Sequence, residues 1–408
     1  MRRLYIPIAV VIAVACYSFI FTHLRPQIPA HDSGYSNNDF SCFYRAGKMA
    51  LSGQGRNIYD IEAEKAFDVS LQAEVVKPGQ NFLSMAFLFP PFTLLLYAPI
   101  AALPYHRAEL LCNVLNVAAL IACPLVLWAK GLLRDRQAAL WIAATPFFFP
   151  VALALLRGQP VPLIFLFLTL TFIAFREQHD VTAGSLLALA SIKPQIILPL
   201  FLAILIGRKW KAVLGFISTG AFTVLATVPI AGWRGTEKFL HAIAGNFLEY
   251  PWLTPDVRAM MYDLLHSRLS YGHLKTATLA VSLLLGLACA LYLAKRQPTA
   301  AAGFSMAITV GLVASAHTGV HDLPLVLLAA MLAWQVRERL IRTVVSTLVA
   351  LLFFLPFLVP FRPEVAVVVT FCLLTLLAVA FAVAANTSFL FLHRRRFPWP
   401  TSCTPVAP

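Results

Sequence analysis

Long apolar runs alternate with short polar segments along most of the chain. Runs of roughly 17 to 25 mainly apolar residues, the length needed to cross a bilayer, recur after residue 86. The first run, residues 5–22, follows Arg2 and Arg3 and is long, with no small-residue cleavage site after it, so it predicts an uncleaved anchor. The pattern predicts an all-α integral membrane protein, a polytopic bundle of about 11–13 transmembrane helices.

The apolar runs predict the positions of the later spans. One span opens at Phe89-Pro90-Pro91, since proline suits the first turn of a helix. The stretch 181–206 is interrupted at Lys193-Pro194, which predicts either one kinked span or two half-helices that re-enter the membrane. The other spans lie near residues 108–129, 138–156, 161–176, 211–231, 272–294, 300–316, 321–336, 340–360 and 364–392.

Two polar excursions interrupt the apolar pattern, at residues 23–86 and 232–271. Basic residues favour the cytoplasmic side, which predicts a cytoplasmic amino terminus and places both excursions outside. In the first excursion, residues 43–51 and 61–75 have the spacing of short amphipathic helices, expected to rest their apolar faces on lipid. We expect one membrane domain, 1–393, and a basic, proline-rich cytoplasmic tail, 394–408.

Simple alternation of the spans conflicts with charge in the amino-terminal half. It places Lys130, Arg134 and Arg136 outside and Arg157 inside, against the preference of basic loops for the cytoplasm. A re-entrant element within 89–129, or a hairpin at 181–206, would correct this. Arg157 and Lys193 would then both reach the outer face beside Asp39, which is the arrangement we expect.

Composition excludes a water-soluble protein. The chain is 60% hydrophobic and 12% charged, against about 25% charged residues in soluble proteins. Its net charge of +14 comes from short clusters between apolar runs, without a basic stripe interleaved with aromatics. The charge therefore indicates orientation and contact with anionic membrane lipids, and we expect no nucleic-acid partner.

Asp39 is the candidate for acid–base chemistry. A carboxylate at the mouth of a span suits a general base that removes a proton from an acceptor hydroxyl. The structural alternative is that Asn38 and Asp39 cap the helix that starts at Phe40. By position alone the cap is the more common situation.

Rare cations in apolar surroundings are candidates for binding a lipid phosphate. Arg157, Lys193, Arg45 and Lys48 can each supply the charge, with Gln159 beside the first of them. The structural alternatives are that Lys193 reaches for the interface and that Arg157 is held by lipid headgroups.

His317 and His321 share one face if their segment is helical, and Asp322 adjoins them. A hydrogen-bonding wall for a sugar, a metal site and a packed polar helix end are all compatible with these residues. The metal interpretation is weakened because Gly319 disfavours a helix and no further ligand is evident. No cofactor is inferred, and a role for a divalent metal is left open. Neither a nucleotide fingerprint nor a phosphate-cradling loop occurs, which points to a donor already in the membrane.

A series of short motifs follows a fixed order between about residues 35 and 230. The motifs are Asp39-x4-Tyr44-x-Ala46, Gly53-x5-Tyr59, Phe89-Pro90-Pro91, Ala98-Pro99-Ile100, Leu103-Pro104, Arg157-Gly158-Gln159 and Ile192-Lys193-Pro194. Their order resembles that of glycosyltransferase family 87, GT-C membrane enzymes that use polyprenyl-phosphate sugars and are typified by α-1,2-mannosyltransferases. The chain departs from the family at Val161, where an asparagine is common, so the hexose is left open.

The resemblance implies that Asp39 is the catalytic aspartate and that the donor is a polyprenyl-phosphate hexose. It further implies inverting transfer to a glycan or glycolipid acceptor at the outer face of a bacterial-type inner membrane. His317, His321 and Asp322 match a late polar motif of the family. A lipid or small-molecule transporter is the main rival interpretation, and a non-catalytic partner in envelope assembly is the second.

Overall fold

The structure, a computed structural model, describes residues 4–24, 39–75, 84–245, 255–296, 298–315, 318–334, 339–354 and 363–392. Within these ranges the chain forms seventeen α-helices and no β-strand, which confirms the predicted all-α fold. The helices are α1 (Tyr5–Phe19), α2 (Phe40–Leu51), α3 (Ile61–Val75), α4 (Leu94–Ala101), α5 (Tyr105–Ala129), α6 (Asp135–Ala144), α7 (Phe149–Leu156), α8 (Val161–Arg176), α9 (Asp180–Ala190), α10 (Pro194–Ile206), α11 (Trp210–Gly245), α12 (Val257–Leu265), α13 (Tyr271–Arg296), α14 (Ala300–Ala314), α15 (Pro324–Ala333), α16 (Arg339–Phe354) and α17 (Pro363–Leu392). The predicted tail, 394–408, lies outside the described residues.

Four described helices are individually long and apolar enough to cross a bilayer: α1 with its extension to His23, α5, α11 and α13. The pair α6 and α7 forms a further candidate span, bent by 59°. Several shorter apolar helices accompany them, among them α8, α9, α10, α14 and α15. The protein is therefore a multi-pass membrane protein, while the total of 11–13 spans stays a prediction.

The loops after α5 and α8 lie at the end of the bundle where α1 begins. Arg136 donates a 3.5 Å hydrogen bond to the hydroxyl of Tyr5. Arg176 donates to the carbonyl oxygen of Lys130 at 3.2 Å, and the Lys130 ammonium lies 2.6 Å from the carboxylate of Glu177. We call this side of the molecule the basic end.

Helices α9 and α10 form a hairpin that starts and finishes at the basic end, with Lys193 at its tip. The start of α11 packs closely on the start of α9 through two glycines. A Cβ on Gly184 would lie 1.9 Å from the carbonyl oxygen of Ala212, and one on Gly215 would lie 2.1 Å from that of Val181. Only glycine permits this approach. Of the two arrangements predicted for 181–206, the structure shows the two short helices.

The apolar helix after Phe89 is too short to be a membrane span. It covers Pro91–Ala101, about 16 Å at 1.5 Å per residue, against roughly 30 Å of hydrocarbon. Both of its ends contact the polar excursion before it. Tyr59 donates to the carbonyl oxygen of Phe89 at 2.6 Å, and Tyr44 donates to that of Leu103 at 2.9 Å. The span predicted here is therefore wrong.

Without that span the charge conflict disappears. Helix α5 runs toward the basic end, and the α6–α7 pair runs away from it. Arg134 and Arg136 therefore lie at the basic end, whereas Arg157 lies at the opposite end. The tip of the α9–α10 hairpin reaches the same opposite end, where the ammonium of Lys193 lies 5.8 Å from the centroid of the Phe89 ring and its charge acts on Asp39. The structure thus agrees with the arrangement expected from the charges.

Helix α2 lies inside the protein, and the expectation that it rests on lipid is wrong. Phe40, Phe43 and Met49 are fully buried. The ring of Phe43 stacks on that of Tyr97 in α4, with centroids 4.2 Å apart. Its polar face is also buried because Arg45 finds partners within the protein. Helices α2, α4 and the start of α5 share one hydrophobic cluster, which fixes the start of α2 and with it Asp39, the residue directly before the helix.

Candidate active site

Asp39 occupies the position of a capping residue before α2, yet its side chain does not cap the helix. Its backbone is already helical, at φ −67° and ψ −18°, and its carboxylate accepts no capping hydrogen bond. Oδ2 instead accepts a 2.6 Å hydrogen bond from Nε2 of Gln159. Asn38, the other proposed cap, lies outside the described residues. The geometry removes the capping alternative for Asp39 and leaves its carboxylate directed at the turn that carries Gln159.

The turn between α7 and α8 is held from two sides. The backbone N–H of Phe40 donates to the carbonyl oxygen of Arg157 at 2.9 Å, so α2 begins directly on this turn. From α5, Nδ2 of Asn116 donates to the backbone carbonyl oxygen of Gln159 at 3.1 Å. The position of the Gln159 amide opposite Asp39 is therefore set by backbone contacts of the turn.

Arg157 brings a half-buried positive charge to this turn. Its guanidinium forms no ion pair or side-chain hydrogen bond with any described residue. Its charge acts on Asp39 over a longer distance. Because a guanidinium has five N–H donors in a planar fork, it matches the oxygens of a phosphate or carboxylate.

Burial raises the pKa of the Asp39 carboxyl above its ordinary value. The positive charges of Arg157 and Lys193 act in the opposite direction. So does the hydrogen bond from Gln159, while the charge of Asp322 adds to the rise. A carboxylate with a raised pKa is a stronger base than a free aspartate, which suits the acceptance of a proton.

Lys193 is buried and ion-paired at the tip of the α9–α10 hairpin. Its Nζ lies 2.6 Å from Oδ1 of Asp322 and 3.4 Å from Nε2 of His321. The residue is 4% exposed, so the alternative in which it reaches for the interface is wrong. Because the carboxylate of Asp322 balances the charge of Lys193, this lysine can donate a hydrogen bond to a ligand but adds little net positive charge to the site.

His321 and Asp322 belong to a short 3₁₀ turn, and the residues just before it that the structure describes are not helical. His321 is therefore not part of an α-helix that could place it on one face with His317. His317 itself lies outside the described residues. Oδ2 of Asp322 accepts from the backbone N–H of Gly319 at 2.9 Å. With Oδ1 bound to Lys193, this carboxylate serves the protein and is not open to a sugar.

Asp256 fixes the segment that carries this turn. It caps α12 by accepting from the N–H of Ala259 at 3.1 Å, and its second oxygen accepts from the N–H of Thr318 at 2.8 Å. Sequence reasoning missed this role and that of Asn116. A carboxylate directly before a helix and an asparagine inside an apolar span were the available signals.

The structure places two of the expected phosphate-binding cations elsewhere. Arg45 is 1% exposed, and its guanidinium lies 2.6 Å from Glu64 and 2.9 Å from Asp68. Lys48 lies 3.6 Å from Glu74. Carboxylates of α3 therefore neutralise both cations, so their expected role at a lipid phosphate is not supported.

Histidine, cysteine and carboxylate side chains do not gather into a metal-binding group in the described parts of the chain. Of the three residues considered as metal ligands, His321 and Asp322 are described. The ammonium of Lys193 already contacts both of them, at the place where a metal ion would bind. A positive ammonium at this position disfavours a metal ion there.

Comparison with known families agrees with this arrangement. A sequence profile of glycosyltransferase family 87 matches residues 87–319, more than half of the chain, and the match includes Arg157, Gln159 and Lys193. No curated protein matches the chain significantly. Together with the helical multi-pass fold, the match shows that the chain belongs to glycosyltransferase family 87.

Proposed function

We propose that this glycosyltransferase transfers a hexose, mannose in the first instance, from a polyprenyl-phosphate donor to a glycan or glycolipid acceptor. The transfer inverts the anomeric carbon, and Asp39 acts as general base. The observation that carries the proposal is the buried carboxylate of Asp39, which accepts from Gln159 at 2.6 Å instead of capping α2. A base and an uncommitted cation, Arg157, are the two groups that such a transfer requires.

The chemistry assigned to Asp39 is a single displacement. The carboxylate takes the proton of an acceptor hydroxyl while the hydroxyl oxygen bonds to the anomeric carbon. The bond from that carbon to the phosphate oxygen breaks, and its electron pair leaves on the lipid phosphate. Attack and departure on opposite faces invert the configuration, so no covalent enzyme intermediate is needed.

Arg157 is the group we assign to the leaving phosphate. Its fork can bind two phosphate oxygens at once, and none of its donors is committed to a described residue. Lys193 assists with one N–H, since an ammonium has three donors and Asp322 and His321 engage two of them. This division differs from the sequence expectation, in which Arg45 and Lys48 shared the role.

A lipid-linked donor is supported by the surroundings of the site. The centre lies between apolar helices, at the tip of a hairpin whose two arms are apolar. The sequence has no Gly-x-Gly-x-x-Gly fingerprint and no Gly-Lys-Ser/Thr phosphate loop for a soluble sugar nucleotide. The choice of mannose rests on the typical donors of the family.

The charge distribution supports the orientation. The loops of the basic end carry Lys130, Arg134, Arg136 and Arg176, and the preference of basic loops for the cytoplasm applies to them. We therefore assign that end and the amino terminus to the cytoplasm, and Asp39 to the outer face of a bacterial-type inner membrane. Residues 1–393 then form one membrane domain, with 23–86 and 232–271 outside and 394–408 in the cytoplasm.

The test is a transfer assay with purified protein in lipid bilayers. Labelled polyprenyl-phosphate mannose, polyprenyl-phosphate glucose and a mannose nucleotide are supplied in turn with cell-envelope lipids as acceptors. We expect transfer from the lipid-linked mannose. Asp39→Asn should slow it by about 10²- to 10⁴-fold, because an amide cannot accept the proton, while the melting temperature is unchanged.

A matched control is Asp135→Asn, which removes a carboxylate at the basic end that accepts from Trp128 at 2.8 Å. This variant should transfer at the parent rate. If Asp39→Asn also does so, the general-base assignment is wrong. Transfer from the nucleotide sugar alone would reject the lipid-linked donor.

A further inference from the structure

A cleft lies between the start of α3, the segment 86–88 and the last turns described for α11. Its volume is about 520 Å³, within the range of small-molecule sites. Its wall is partly aromatic and partly charged. The residues that matter here are Tyr59, Phe87, Asp60, Glu62, Lys238 and His241.

The segment that lines the cleft also reaches the reaction centre. Phe87 and Leu88 belong to the wall, and the ring of Phe89, the next residue, lies 5.8 Å from Nζ of Lys193. Tyr59 donates its hydroxyl to the carbonyl oxygen of Phe89 at 2.6 Å, which ties the wall to this segment. A molecule bound in the cleft therefore lies next to the segment whose following residue, Phe89, contacts Lys193.

The wall offers the contacts that a sugar uses. The partly exposed ring of Tyr59 presents apolar surface to the C–H groups of a pyranose, and the buried ring of Phe87 supports it with centroids 5.6 Å apart. Asp60 and Glu62 accept hydrogen bonds from hydroxyl groups, and Lys238 donates them. Since a sugar hydroxyl both donates and accepts, a mixed wall of this kind fits it.

The charge of the cleft distinguishes the acceptor from the donor. Each of its three carboxylates has a cation beside it: Asp60 lies 3.6 Å from Lys238, Glu62 lies 3.0 Å from Lys65, and Glu64 lies 2.6 Å from Arg45. The wall therefore offers polar groups without an unpaired positive charge for a phosphate. This favours a neutral glycan over the anionic donor.

The conformation of Tyr59 is unusual and firmly held. Its φ is 81°, a left-handed value that a bulky side chain rarely adopts. Its N–H donates to Oε1 of Glu64 at 3.1 Å, while its hydroxyl is fixed on Phe89. The ring is therefore oriented before any ligand binds, as a stacking platform requires.

From these observations we infer that the cleft binds the terminal neutral sugar of the acceptor glycan. The inference rests on the proposed glycosyl transfer. It places the acceptor in this cleft and leaves the donor phosphate at Arg157. Lys238 and His241 line the cleft from α11 and supply polar contacts to the bound sugar, and Tyr59 supplies the ring on which it stacks.

The first test measures acceptor kinetics with octyl glycosides of mannose, glucose and galactose. The double variant Lys238→Ala/His241→Ala should raise the acceptor KM at least fivefold. The donor KM and the hydrolysis of donor without acceptor should not change. Arg268→Ala removes an exposed cation outside the cleft, on the same polar excursion, and serves as the matched control. An unchanged acceptor KM in the double variant would overturn the inference.

The second test does not depend on catalysis. Lys238→Cys and Arg268→Cys are each labelled with a membrane-impermeant maleimide, after the exposed Cys372 has been replaced by serine. Saturating octyl glycoside should slow labelling at position 238 at least threefold and leave position 268 unaffected. Equal labelling with and without every glycoside would refute the cleft. Protection in a protein that transfers nothing would support the cleft and reject the proposed function.

Discussion

The Arg45 cluster and the Asp39 cluster are both buried groups of opposite charges, and both involve α2. In the first, the guanidinium of Arg45 contacts Glu64, Asp68 and Ser84 and donates to the carbonyl oxygen of Met85 at 2.8 Å. In the second, the carboxylate of Asp39 has one amide partner, Gln159, and the nearby Arg157 forms no ion pair with the described residues.

This difference separates a structural group of charges from a reactive one. A buried guanidinium whose charge is balanced by carboxylates fixes the elements that supply those carboxylates. The Arg45 cluster accordingly ties α3 and the segment 84–86 to α2. The Asp39 cluster keeps donors on Arg157 that no described residue uses, and in the proposed function a substrate phosphate completes it.

The largest effect is expected from Arg45→Met. It leaves the carboxylates of Glu64 and Asp68 buried without their cation, which should lower the free energy of unfolding by about 3–5 kcal/mol. Thermal unfolding in detergent measures the loss. Lys48→Met removes a half-exposed cation of the same helix and should cost only about 0–1 kcal/mol. A stable Arg45→Met variant with weakened donor binding would return Arg45 to the phosphate site.

The next effect is expected from Arg157→Ala, whose cation has no structural partner among the described residues. The kcat/KM for the lipid-linked donor should fall about 10²-fold, equivalent to two charge-assisted hydrogen bonds to phosphate. The unfolding temperature should stay at the parent value, and Arg157→Lys should recover part of the rate. A fall in stability with an unchanged rate per folded molecule would make Arg157 a second structural arginine.

A smaller effect with a distinct signature is expected from Gln159→Leu. In the parent, kcat/KM should fall as the pH drops through the pKa of Asp39, because only the ionised carboxylate accepts a proton. The hydrogen bond from Gln159 lowers that pKa, so its removal should shift the acid limb of the pH profile to higher pH. The maximal rate should fall about tenfold through loss of orientation. An acid limb that does not move would show that another group is the base.

Most residues of the candidate site stand out in the sequence by their residue type alone. Rare polar residues in an apolar chain are expensive, so Asp39, Arg157, Gln159 and Lys193 stood out, and the charge bias predicted that they share one end. The break at Lys193-Pro194 indicated an interrupted helix because proline lacks the N–H of a continuous one. These signals are local, and the structure brings those residues together.

The errors arose where the answer depends on tertiary contacts. A buried helix such as Pro91–Ala101 is as apolar as a membrane span, and hydropathy does not show that α2 covers it. The partners of Arg45 lie 19 and 23 residues away on α3, and those of Lys193 lie 128 and 129 residues away. Periodicity within a window of one helix carries no information about such pairs.

The shortness of the α9–α10 hairpin has a consequence for the lipid environment. Helix α9 rises about 16 Å from the basic end, roughly half the thickness of the hydrocarbon. Asn116, which holds the turn of Gln159, is likewise near the middle of α5. With the basic end assigned to the cytoplasm, as proposed, the candidate site is a recess below the level of the outer headgroups. The proposed polyprenyl-phosphate donor then has to descend into it, or the bilayer has to become thinner around it, and sugar transfer is coupled to the thickness of the membrane.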